Sequence, residues 1–314
     1  MPGFTGGELS IIKQLSGRQT RNQRGARPLP RWLSVGLAVG WFGVLVWWER
    51  RQSLRQQQTE PKLRREIRNV AVGGVGAAAL QIAERPIVAP LAHWVWRRRW
   101  GLLPRLTLPL WAETALAVAL LDYTLYVWHV LVHKVPWLWR FHLVHHADLD
   151  MDASTALRFH FAELTVSAPW RAAQIAAIGV SPLALSTWQT FLFCSILFHH
   201  SNARLPLGLE RWLSRFIVTP RLHGIHHSVI EEEASSNWSS GLTLWDRLHG
   251  TLRTNIPQRA ITIGVEAYRD PRELTLPKVL AMPFGPERPA WQAVDGTRPS
   301  RLPSELKGGK DLQL

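Results

Sequence analysis

Cysteine is almost absent: Cys194 is the single one in 314 residues. One thiol excludes an intrachain disulfide framework and any cysteine-built zinc or iron–sulfur site, so metal chemistry in this chain has to rest on histidine. Acids are scarce too, 23 Asp and Glu against 37 Lys and Arg, which leaves a net charge of +14. So basic a chain could bind nucleic acid, but a nucleic-acid binder does not need long uncharged runs beside its arginines, and this chain has several. No glycine-rich dinucleotide fingerprint occurs within it either.

What is abundant is indole and apolar sequence: 17 Trp, and 46% hydrophobic residues. Together with the positive charge these describe a membrane protein whose basic faces meet lipid headgroups. The stretch "WLSVGLAVGWFGVLVWW" (32–48) has the length of a short span and ends in an interfacial Trp pair, Trp47 and Trp48. A second run, from Asn69, is cut by Glu84, Arg85 and Pro86 and resumes as far as Trp96, which predicts one kinked helix or a helical hairpin. A third extends from near Leu106 to Val132. Two short ones, 164–180 and 183–198, are separated by Ser-Pro and read as a tight helical hairpin. The expected fold is an all-α, multi-span transmembrane bundle with a histidine-rich helical cap. Its expected parts are a flexible basic tail (1–30), N-terminal transmembrane helices (31–104), a catalytic domain (105–254) and a Pro-rich C-terminal tail (255–314) that wraps the surface or is partly disordered.

Histidine is where the sequence becomes specific. Three occur in "RLHGIHHS" as His223, His226 and His227, and "RFHLVHH" repeats the spacing as His142, His145 and His146. Positions i, i+3 and i+4 share one helical face, so each triplet aims its imidazoles one way. "HVLVH" does the same for His129 and His133, and "FHHSN" adds His199 and His200. Hairpin geometry returns this last group to the side of the others. Neutral imidazole is a common metal ligand, and four donors would satisfy one zinc, so so many imidazoles argue for two ions. Thr219 and Pro220 supply an N-cap and a first-turn residue for the helix carrying the last triplet. Lone His93 reads as interfacial, and His249 as no ligand.

Groups behind the ligands can be proposed from spacing. Asp122, Tyr126, His129 and His133 form one helical stripe, so Asp122 is a candidate to orient imidazoles, with an interfacial acid as the alternative. Asn202 is a second candidate. Asp148, Asp150 and Asp152 read as a solvated loop. No Glu-x-x-His element of the soluble di-iron bundles occurs, so a metal centre here has another architecture.

From Asp122 to Thr251 the motifs "HVLVH", "RFHLVHH", "TALRFHFAE", "FHHSN", "TPRLHGIHHS" and "LTLWDRLHGT", in this order, resemble the fatty acid hydroxylase/sterol desaturase superfamily, and most closely its bacterial sterol desaturase branch. The resemblance implies metal ligation by His129, His133, His142, His145, His146, His223, His226 and His227, with His200 from the third motif. "HHSN" stands where a spaced histidine pair is common, so His199 and His160 are further candidates there. Phe161 and His249 replace residues usual in the branch. The resemblance further implies two iron ions, dioxygen as co-substrate, and hydroxylation or desaturation of a lipid C–H bond. Electrons would come from a separate reductase or a ferredoxin- or cytochrome-type donor, in an integral protein of the bacterial inner membrane with its site facing the cytoplasm. The competing reading is a histidine-rich metal transporter or sensor, which would place its site near the bilayer midplane on broken helices.

Overall fold

A computed structural model describes residues 25, 27–56 and 59–302 of the chain. Most of the basic N-terminal tail expected over 1–30 falls outside them. The described residues contain helices and isolated bridges but no β-strand. Helix α1 spans Arg31–Arg51. Helix α2, Lys62–Ala79, passes through a π turn at Leu80–Glu84 directly into α3, Arg85–Arg98. Of the two readings open for that run, the structure takes the single interrupted helix. Pro86 has no N–H, and its ring would collide with the Ile82 carbonyl in α register, so the chain widens by one residue and Arg85 N donates to Leu80 O.

Helix α4, Leu110–Lys134, is followed after Val135 by α5, Pro136–His146. The expected hairpin is α6, Phe161–Ile178, and α7, Pro182–His200. Its turn follows from local chemistry. Gly179 adopts φ 84° and ends α6, and Ser181 then caps α7 by accepting from Ala184 N, with Pro182 in the first turn. Gly101 backs onto that turn so closely that a Cβ there would lie 2.5 Å from Gly179 Cα, which fixes the loop after α3 to the hairpin tip. In the bundle, α6 packs on both α2 and α3, while α7 packs on α1 and α4. One apolar core joins Val88 and Val95 to Leu121, Ile175 and Trp188.

α1 and α4 are each long and apolar enough to cross a membrane. α1 buries few residues and presents Trp32, Val39 and Trp47 outward, and Ile67, Ile82 and Ile87 do the same on α2, the π turn and α3. An apolar belt of this extent would be unfavourable in water and matches lipid. The fold is a helical membrane bundle, as expected.

The remaining elements sit at one end. They are α8 (Leu207–Leu213), α9 (Pro220–His226), α10 (Glu231–Ala234), α11 (Leu244–Leu248) and α12 (Leu276–Ala281). Pro220 starts α9 as expected, but Thr219 at the N-cap makes no side-chain capping bond. A larger difference concerns residues 255–302, expected as a surface wrap. Val265, Tyr268, Leu274 and Val279 enter a core with Trp139, Leu143 and Val144, and Ile256, Ile261 and Ile263 pack on Met151 and Ile225. Short apolar runs between prolines carry no helical period, yet they close the cap because they are individually buried.

Asp148, Asp150 and Asp152, expected as a solvated loop, are buried too. Arg65 Nη1 donates to Asp148 Oδ2 at 2.9 Å and pairs with Asp152, Asn69 Nδ2 donates to Asp148 at 2.8 Å, and Arg158 Nη1 donates to Asn69 Oδ1 at 2.9 Å. Their partners come from α2 and, for Asp150, from Thr59 N just before it, so these acids anchor the chain after α5 to the bundle and do not touch the imidazoles.

Candidate metal centre

The C-terminal ends of α4 and α7 meet α5 and α9, and this junction gathers the histidines. Two groups form. In one, ligand atoms of His129, His133, His142, His146 and His226 all lie within 4.8 Å of one another; in the other, those of His145, His200, His223 and His227 do. These are the nine histidines that the motif resemblance implies as ligands.

Each triplet divides between the groups. On α5, His142 and His146 turn to the first and His145 to the second, and on α9 His226 turns to the first and His223 to the second, with His227 just beyond. A helix advances about 100° per residue, so i and i+4 share a stripe and i+3 lies beside it. The His146 and His227 rings stack at 4.2 Å where the groups abut.

Hydrogen bonds fix which nitrogen each ring offers. His129 Nδ1 is 2.6 Å from Trp238 O, His226 Nδ1 2.9 Å from Ser236 O, and His200 Nδ1 2.8 Å from Ile196 O. A carbonyl only accepts, so each Nδ1 carries the proton and each Nε2 is a bare lone pair. His142 Nδ1 is likewise 2.8 Å from Glu163 Oε1. Nε2 atoms converge within both groups: His226 and His129 at 3.1 Å, His200 and His145 at 2.9 Å, His200 and His223 at 3.0 Å, His223 and His227 at 3.2 Å. Nε2 of His133 and both ring nitrogens of His146 have no hydrogen-bond partner in the protein.

Charge does not resolve the crowding. Burial, followed by the neighbouring imidazoles, holds His145, His146, His223 and His227 well below the usual imidazole range, and His226 is lowered to about 3. Neutral rings with converging lone pairs are repulsive by themselves and become favourable around a cation. The donor set therefore fits metal ions, one per group, and an all-imidazole shell is borderline-soft, suited to iron, zinc or copper.

The other candidates lie elsewhere. His199 packs on His223 at 4.0 Å and lines the adjoining cavity, but belongs to neither group. His160 caps α6: its Nδ1 accepts from Ala162 N and its Nε2 is 3.1 Å from Leu280 O, so both nitrogens are taken up by backbone. Asn202 is bound to the backbone of Arg55 at both ends of its amide, accepting from Arg55 N and donating to Arg55 O. Asp122 accepts from Leu242 N at 2.9 Å and Trp245 Nε1 at 2.7 Å and meets no imidazole, holding instead the segment whose Trp238 carbonyl orients His129. His249 stacks on Tyr126 at 5.0 Å, and His93 lies in α3, outside both groups.

The groups that do orient ligands were not read from the sequence. Glu163 was available, since it stands three residues after His160 in "RFHFAE" as the one acid of its helix. The carbonyls of Trp238, Ser236 and Ile196 carry no signal in residue identity.

Beside the imidazoles opens a mostly apolar cavity of about 450 Å³, walled by Leu125, Leu164 and Leu192 and reached by His129, His142, His145 and His200.

A family model described as fatty acid hydroxylase matches residues 114–251. The chain is 27% identical over 233 residues to an ornithine lipid hydroxylase of Rhizobium tropici, covering 74% of this chain and 65% of that protein. It is 30% identical over 179 residues to human cholesterol 25-hydroxylase, covering 55% and 64%, and 29% identical over 141 residues to an alkylglycerol monooxygenase of Xenopus tropicalis, covering 45% and 30%. The chain thus spans less than two thirds of the length of these relatives. No solved structure gives a significant match. Motif order, the two imidazole groups and these matches agree: residues 114–251 are a fatty acid hydroxylase domain, of the kind found in the fatty acid hydroxylase/sterol desaturase superfamily.

Proposed function

We propose that the protein is a membrane-bound lipid hydroxylase whose nine imidazoles hold two irons, one in each group. The observation that carries this reading is the junction of two all-imidazole donor sets with an apolar cavity. Two irons bound there would supply activation of dioxygen for attack on an unactivated C–H bond. The chain's own residues do the rest. Glu163 retains the His142 proton at Nδ1, so that Nε2 is the donor, and the carbonyls of Trp238, Ser236 and Ile196 do the same for His129, His226 and His200. Leu125, Leu164 and Leu192 keep water from an alkyl chain laid against the rings.

The relatives are named for hydroxylation of an ornithine lipid and of cholesterol and for oxygenation of alkylglycerol, which supports hydroxylation of a lipid and favours it over desaturation. Electrons come from a separate reductase or ferredoxin- or cytochrome-type donor, since these residues hold no cysteine cluster or dinucleotide fingerprint. The transporter reading needs a site on broken helices at mid-bilayer, whereas both groups sit at the ends of α4 and α7. The test is metal analysis of purified protein beside lipid profiles of cells with and without it. About two irons per chain, nitrogen-ligated, and one or more lipids heavier by one oxygen are expected. A single tightly bound zinc, or an unchanged lipid profile, would refute the reading.

A further inference from the structure

The cavity that begins at the histidines has a second polar end, where Glu84, Arg171, Trp188 and Gln189 join its wall. On α6, Arg171 stands eight residues past Glu163, about 12 Å along the axis. On α7, Trp188 and Gln189 stand eleven residues before His199 and His200, about 16 Å away. Between the ends the α7 wall is Leu192, Phe193 and Ile196. The cavity is therefore polar at both ends and apolar between.

Arg171 is held in place without a carboxylate in contact with it. Its Nη1 donates to the uncharged Gln174 Oε1 at 2.8 Å, and its guanidinium lies 4.3 Å over the Trp188 ring. Its Nε and the Trp188 Nε1 have no acceptor in the protein. Arg171 and Glu84 lie within range of one another's charge, but among the described residues no ion pair within 4 Å joins them or joins either to a third side chain. Glu84 is only 8% exposed and ends the π turn that interrupts the α2–α3 rod, a turn type found often at functional sites. Ionisable side chains facing the interior of a membrane bundle are costly and mark ligand paths by default.

The two charges are opposite, face one cavity, and attract one another without closing a contact ion pair, so a group bearing both signs can enter between them. A hydroxyl would neutralise neither, and a simple anion or cation would meet one of them while being repelled by the other, which is costly in an apolar setting. We propose that this end of the cavity receives the polar group of the lipid substrate, and that this group is a zwitterion, its carboxylate or phosphate on Arg171 and its ammonium on Glu84. The alkyl portion then runs toward the imidazoles, and Arg171 and Glu84 determine specificity. This inference rests on the reading of the cavity as a lipid channel.

The test is equilibrium binding to metal-free full-length protein in nonionic detergent, using single-chain amphiphiles of one alkyl length. Four headgroups are compared: ammonium with carboxylate, ammonium with phosphate, carboxylate alone and ammonium alone. At least one zwitterion should bind about tenfold or more tightly than both singly charged probes, the order set by one charge-assisted contact. The better zwitterion identifies the anion. Glu84→Gln should abolish the advantage over the anionic probe, and Arg171→Gln the advantage over the cationic one. Equal affinity for all four probes, or no binding, would overturn the proposal, as would headgroup preferences unchanged in both variants. The wild-type series decides even where a variant does not fold. Metal-free binding also separates this inference from the catalytic reading, because a protein that selects zwitterions but never holds iron keeps the first and loses the second.

Discussion

His226 Nε2 lies 3.1 Å from His129 Nε2 although both rings have given their Nδ1 protons to backbone carbonyls, so neither nitrogen can donate to the other. Two helices, α4 and α9, are thereby pinned with lone pairs opposed, an arrangement that a cation relieves. Removing one partner should cost the cation its site. His226→Ala is expected to lose most bound metal and essentially all lipid oxidation while still inserting in the membrane, because the apolar helices are untouched. His249→Ala and His93→Ala should keep most metal. Iron per chain, measured for all three in parallel, checks this; equal damage from His249→Ala would show that the ligand assignment is wrong.

Glu163 acts through His142, and its effect should be graded. Glu163→Gln keeps shape but removes the charge that orients the ring and strengthens its Nε2, so metal affinity should fall by about 10–100-fold, the usual range for such outer partners. Competition with a chelator measures it. A merely structural role would leave affinity unchanged and lower only thermal stability.

Asp122 makes the complementary case. Asp122→Ala leaves Leu242 N and Trp245 Nε1 without their acceptor in a buried cluster, with an expected loss of about 1–3 kcal/mol for each unsatisfied donor. Thermal unfolding should shift down, and metal affinity should fall only as the Trp238 segment loosens. A variant with wild-type stability would contradict the role assigned to this carboxylate.

The metal-free protein should be acid-labile. His226, with a folded pKa of about 3 against an ordinary 6.5, stays neutral in the fold while the unfolded chain takes up a proton, so folding is disfavoured as pH falls from 6.5 toward 3. Each such imidazole contributes about 1.4 kcal/mol per pH unit in that window, and His145, His146, His223 and His227 are lowered in the same direction. Melting temperatures of chelator-treated protein at pH 7.5 and 5.5 should differ clearly, with the lower value at pH 5.5. A flat profile for the metal-free form would refute the account.

Orientation is testable because all four histidine motifs occupy one end of the bundle. Reporter fusions after His133 and at the C-terminus should both report the cytoplasm. Charge gives this direction only partial support, since the 49–68 loop is basic but so is "RRRWGLLPR" at the other end.

The clustering of the imidazoles was legible in the sequence because helical spacing is local: i, i+3 and i+4 share a face wherever the helix goes, and apolar runs of given length and order bring the ends of α4 and α7 to one side, while the set of nine with His200 came from the family resemblance. The breaks at Pro86 and at Ser181-Pro182 were legible for the same reason, since a missing N–H acts on its own turn. Which triplet member joins which group was not legible, nor that carbonyls of Trp238 and Ser236 set the tautomers, nor that Asp148 binds arginine from α2. Each of these pairs a residue with a partner scores of positions away, or with backbone whose identity no side chain reveals. The segment 255–302 shows the same limit, as its isolated apolar residues have no period and become core only where α5 and the chain after it supply the opposing surface. Sequence alone thus determined the candidate metal-binding residue type and its side of the bundle. Tertiary packing decided the division into two groups and placed Glu84 and Arg171 on one cavity, because burial and lone-pair direction depend on what lies opposite.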